Sequence, residues 1–121
     1  MSLSTHTEEP VLDLGPFHEL FDDGDPEGAA WLESYLETAT RALQDMRCAL
    51  ADGDRTKLAI SAHRIGGTSL VVGVRRVGLL CQAIELEAPR KPAEELAVMV
   101  EEVDQEFDAA RDAIIRLVTR D

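Results

Sequence analysis

The chain has 121 residues and a mass of 13.3 kDa, which gives room for one hydrophobic core and not two. Twenty-four acidic against twelve basic residues give a formal charge of −12. That balance excludes nucleic acid and anionic membrane surfaces as natural partners, because both are held by cations that neutralise phosphates. Hydrophobic residues at 45% suffice for a core, and aromatics at 4% leave Leu, Val, Ile and Ala to fill it, as in helical domains.

In chain order, residues 1–9 are polar and expected to be flexible, with Met1-Ser2-Leu3 resembling a cloning scar. Residues 10–121 are expected to form the one domain. A short apolar element follows, Val11-Leu12-Asp13-Leu14 with Phe17, Leu20 and Phe21, ending in the turn-rich Asp22-Asp23-Gly24-Asp25. Asp25-Pro26-Glu27 then opens a helix: Asp at the N-cap, Pro at the first helical position, Glu in the first turn. Leu32, Leu36, Ala39, Leu43, Met46 and Leu50 recur at spacings of four and three, one apolar stripe on a helix reaching Ala51.

Asp52-Gly53-Asp54 stops that helix and caps the next, whose stripe is Leu58, Ala62, Ile65, Ser69 and Val72, ended by Gly73. A third helix is expected over Val74 to Glu87, with Val77, Leu80, Cys81 and Ile84 inward. Pro89 and Pro92 bracket the next break. The last helix carries Leu96, Val100, Val103, Phe107, Ala110, Ile114 and Leu117. No segment reads as a strand. The expected fold is all-α, an antiparallel four-helix bundle preceded by a short N-terminal helix. Cys48 and Cys81 lack a CxxC spacing and a nearby His, and are expected as reduced, buried thiols of a cytoplasmic protein. No run approaches the roughly 18 apolar residues of a membrane span, and no leader pattern opens the chain.

The charge is segregated. Residues 1–54 carry a net −11 and residues 85–121 a net −6, whereas residues 55–84 contain no acid and five bases: Arg55, Lys57, Arg64, Arg75 and Arg76. A buried helix pair would exclude every charge, so the five bases point instead to an anionic group or an acidic partner meeting this stretch.

Inside the stretch lies Ala62-His63-Arg64-Ile65-Gly66-Gly67-Thr68-Ser69. Two adjacent glycines in a helix interior cost about 2 kcal/mol relative to alanines. Such a cost is kept where a bare backbone is useful or where helices approach closely. At 100° per residue, Gly66 and Gly67 lie one turn after His63 and flank it, and the core stripe points away from it. Ile60, Leu70 and Val71 are expected on the outer side, an exposed apolar patch around an accessible imidazole with Arg64 at its rim. His6 and His18 lack such surroundings. A di-metal bundle would need Glu-x-x-His pairs, and Ile60 stands where that Glu would have to be; no metal site is expected. No Ser/His/Asp arrangement is readable either. An exposed, uncharged imidazole is a nucleophile near neutral pH, with space on its outer nitrogen for a bulky group such as phosphoryl.

Ala62-His63-x-Ile65-x-Gly67-Thr68-Ser69, then Gly73, then Leu80-Cys81-x-x-Ile84-Glu85, resembles the histidine-containing phosphotransfer (HPt) domains of bacterial phosphorelays. Val11-Leu12-Asp13, Asp25-Pro26-Glu27 and the turn from Ala49 to Asp54 are similar to the same family, so that the likeness spans residues 10–118. The resemblance implies a four-helix bundle carrying a phosphorylatable His63 that exchanges phosphoryl with the aspartate of a response-regulator receiver domain. It implies no autonomous catalytic activity and no cofactor of its own, the Mg²⁺ coming from the receiver. The implied partners are receivers and a sensor or hybrid histidine kinase, met by a monomer. Where the family has Lys three residues after the histidine, this chain has Gly66; Arg64, Arg75 and Arg76 are the candidate replacements, as phosphate or receiver contacts. The resemblance also sets Glu85 opposite His63, where its carboxylate would accept the Nδ1–H and leave Nε2 free. Gly66 and Gly67 would leave space for the phosphoryl group, and Ile60, Leu70 and Val71 would dock the partner. The competing reading is a helical bundle that docks a receiver or kinase without carrying phosphate.

Overall fold

The computed structural model describes residues 10–119; the expected flexible segment 1–9, His6 and residues 120–121 lie outside them. Five helices occupy the described residues: α1 (Gly15–Leu20), α2 (Pro26–Asp52), α3 (Arg55–Val72), α4 (Arg75–Glu87) and α5 (Ala93–Thr119). Their connections are too short for anything but antiparallel packing of sequence neighbours, so α2 to α5 form an up-down bundle with α1 laid across one end.

The helix ends follow from local chemistry. Asp25 Oδ1 accepts the Glu27 N–H at 2.9 Å and Asp54 Oδ1 accepts the Lys57 N–H at 3.0 Å, each satisfying a donor the helix itself cannot. Gly53 and Gly73 end α2 and α3 in the left-handed region, at φ +69° and +103°. Helix α2 runs one residue beyond the expected Ala51, and Val74 is the N-cap of α4 rather than its first residue.

The expected stripes face the axis. Leu32, Met46, Leu58, Ile65, Val77, Ile84, Leu96, Val103 and Ile114 are almost wholly buried, whereas Leu36, Leu50, Leu80 and Leu117 lie half-buried at its edges. One polar pair is embedded among them: the Tyr35 and Ser69 hydroxyls share a 2.7 Å hydrogen bond between α2 and α3. Burial holds the Tyr35 phenol well above its usual pKa. The thiols differ from expectation, since Cys81 is buried but Cys48 sits on the exposed side of α2.

The bundle is braced at both ends. Phe17 of α1 packs over Gly28, where a Cβ would fall 2.8 Å from its ring, and joins Phe21 and Trp31 in an aromatic cluster. Ahead of α1, the Asp13 N–H donates to the Gly73 carbonyl at 2.8 Å, tying the N-terminal strap to the α3–α4 turn. At the other end Arg55 Nη1 donates to the carbonyls of Ala88 and Lys91 at 2.9 and 2.6 Å, joining the start of α3 to the end of α4. Arg47 of α2 pairs with Asp104 of α5.

Candidate functional site

His63 lies in the middle of α3, on the side away from the core, with its side chain 74% exposed. Helix α4 runs alongside and brings Glu85 level with it. The Nδ1 of His63 is 3.1 Å from Glu85 Oε1 and 3.0 Å from Oε2. A carboxylate only accepts, so Nδ1 carries the proton that binds it and the uncharged ring keeps its lone pair on Nε2. The imidazole is thus held by one nitrogen and offers the other to solvent.

The two glycines beside it have different surroundings. Gly67 is exposed, and a Cβ there would meet nothing within 4 Å. Gly66 is buried instead: a Cβ would touch Cys81 Cβ at 3.4 Å and the Gly78 carbonyl at 3.6 Å. The expectation that both glycines leave room beside the histidine is therefore corrected for Gly66, which faces α4 at its crossing with α3, where a Cβ would make ordinary van der Waals contact. Gly78 is its counterpart on α4, covered by Leu70, whose Cγ lies 2.6 Å from where a Cβ would be. Leu70 is accordingly half-buried in the crossing and not part of the exposed patch. The glycine inside the α4 pattern is the signal by which Gly78 could have been found.

Of the arginines proposed for the Gly66 vacancy, Arg76 is half-buried and donates to Glu106 Oε2 at 2.8 Å, which gives it a structural place between α4 and α5. Arg75 and Arg76 precede Glu85 by nine or ten helical residues, roughly 14–15 Å along α4. At that spacing neither stands level with His63 on α4. Arg64 is exposed, but it stands about 100° around α3 from His63. There it lines a groove toward α2 with Asp45, Lys57 and Ile60.

The apolar surroundings are broader than expected. Ile60 and Val71 are exposed on α3, at 53% and 62%. Leu79 and Leu86 are exposed on α4, seven residues apart and so on one face, next to Glu85. An open groove of about 250 Å³ between α2 and α3 adjoins the patch, lined by Trp31, Tyr35, Thr38, Gly67, Thr68 and Val71. Leu79, Leu86 and Trp31 escape a sequence reading because their positions relative to His63 depend on how α2 and α4 are rotated against α3.

This bundle, with an exposed histidine on its second long helix, has the architecture of a phosphotransfer domain. The Hpt domain family model matches residues 30–113, and the chain belongs to that family, whose members carry phosphoryl groups in two-component signalling. It is similar in structure to the histidine-containing phosphotransfer protein B (HptB) of Pseudomonas aeruginosa PAO1, with a TM-score of 0.85 and 23% sequence identity. That alignment covers 93% of this chain and 97% of the HptB chain. No curated protein matches the chain in sequence. No helix among the described residues is long and apolar enough to cross a membrane.

Proposed function

We propose that this protein is a phosphorelay intermediate in which His63 accepts a phosphoryl group from a receiver aspartate and passes it to another receiver. The observation that carries this reading is the exposed His63 ring, bound through Nδ1 to Glu85 with Nε2 facing solvent. The Nε2 lone pair attacks phosphorus, the Nε2–P bond forms, and the P–O bond of the aspartyl phosphate breaks with its electrons returning to the carboxylate. The reverse transfer follows the same path. Bound in this way, the ring needs no reorientation, so the chain's contribution is chiefly positioning. The receiver would bring the Mg²⁺ that offsets charge on the transferring group. Ile60, Val71, Leu79 and Leu86 form the apolar rim on which it would dock, with Gly67 leaving the approach open.

The test is transfer of labelled phosphate from a phosphorylated receiver to the wild type and to His63→Gln. The wild type takes up label and the variant does not; equal labelling of both overturns the assignment. Receiver binding without any labelling of the wild type would establish the docking-module reading, which the absence of a Lys at Gly66 favours.

A further inference from the structure

The crossing of α3 and α4 leaves one polar side chain beside the site without a task. Gln82 is exposed, precedes Glu85 by one turn on α4, and its side-chain amide has no hydrogen-bond partner among the described residues. Its backbone nitrogen lies 3.8 Å from the position a Gly66 Cβ would take, so Gln82 stands directly across from the residue one turn after His63. Gly67 is exposed and a Cβ there would meet nothing within 4 Å, so that residue places no side chain between the Gln82 amide and the space in front of Nε2. The other groups around this space are poorly suited to an anion. Glu85 is a carboxylate, Ile60 and Leu86 are apolar, Arg64 lies on the α2 side, and Arg75 and Arg76 lie between two and three turns before Glu85 on α4.

We infer that the Gln82 amide donates a hydrogen bond to a phosphoryl oxygen on His63 Nε2, supplying from α4 the donor that position 66 lacks; this rests on the proposed role of His63. Loss of the phosphoryl group passes through a metaphosphate-like state, in which electron density moves from the equatorial oxygens toward phosphorus. A donor on those oxygens holds that density back and lengthens the life of the phosphohistidine.

The experiment needs no cognate receiver. Phosphoramidate labels an imidazole directly: its P–N bond breaks, the Nε2–P bond forms, and ammonia leaves. Wild type, Gln82→Ala, Gln82→Glu and Gln82→Lys are labelled, freed of reagent and followed by ³¹P NMR as the phosphohistidine hydrolyses. Loss of one solvent-exposed hydrogen bond from the amide to the anionic phosphoryl group in Gln82→Ala shortens the half-life by about three- to tenfold and moves the phosphorus resonance. Gln82→Glu shortens it further, and Gln82→Lys restores it. Position 82 is exposed, so circular dichroism and Tm stay at wild-type values in all three. Wild-type decay in both the Ala and Glu variants, with an unmoved resonance, overturns the role of Gln82 and leaves that of His63 standing. Labelling of His63→Gln as strong as the wild type strikes the underlying reading instead.

Discussion

At the scale of single residues, a free imidazole samples two tautomers, and only the one protonated at Nδ1 presents a nucleophilic Nε2. Glu85 biases that choice by accepting the Nδ1–H. Glu85→Ala removes the bias and the ring's anchor, and is expected to slow phosphotransfer by about three- to tenfold in rapid-quench kinetics. Glu85→Gln retains an acceptor oxygen and keeps most of the rate. Equal slowing in both variants would mean that charge, and not orientation, is the contribution of Glu85. Cys81 provides a second residue-scale expectation. Burial pushes its thiol from 9.0 up to about 12. The unfolded chain therefore loses this proton first as pH rises, and the stability it contributes is present in full below pH 9 and lost progressively toward pH 12. At neutral pH the buried Cys81 thiol is protonated and inert, whereas Cys48 is accessible. Iodoacetamide should modify only Cys48 in the native protein and both cysteines in denaturant, as read by mass spectrometry.

Among the helices, the glycines separate by what surrounds them. Gly73 holds φ +103°, and a Cβ there would lie 2.1 Å from the Asp13 carbonyl oxygen. Gly73→Ala is expected to cost at least about 1–3 kcal/mol and to loosen the N-terminal strap, measurable as a lower urea midpoint. A Cβ at Gly66 meets only ordinary van der Waals neighbours. Gly66→Ala should therefore be stabilising, by up to about 1 kcal/mol of helix propensity. The helices themselves were legible because each apolar stripe, cap and αL glycine is local: Asp25-Pro26 and Gly53-Asp54 mark ends without reference to the rest of the chain. The His63–Glu85 pairing was reached through the family resemblance. The different surroundings of Gly66 and Gly67 were not legible, because they are decided by the side on which α4 crosses α3. For the same reason nothing in the sequence singles out Gln82 or Leu86.

Over the whole molecule, the segregation of charge is less simple than a basic belt between acidic flanks. Arg55 is occupied with the carbonyls at the end of α4 and Arg76 with Glu106, while Glu85, from the acidic flank, reaches His63 itself. Arg64 is then the exposed cation nearest the histidine, and it makes no ion pair among the described residues. An acidic receiver face would be steered mainly by it. Arg64→Ala should slow association by a few-fold at low salt, with the difference vanishing as ionic strength rises, and should leave stability within about 0.5 kcal/mol. Stopped-flow association at two salt concentrations checks this; an unchanged rate at low salt would place the contact elsewhere.

In the proposed relay one nitrogen of one side chain carries the phosphate. ¹⁵N and ³¹P NMR of the protein phosphorylated by a receiver reports both the residue and the ring nitrogen bonded to phosphorus. The expected spectrum is that of a single phosphohistidine at His63, bonded through Nε2, with Nδ1 still protonated and facing Glu85. Phosphate on Nδ1, on His18 or on any other side chain would contradict it.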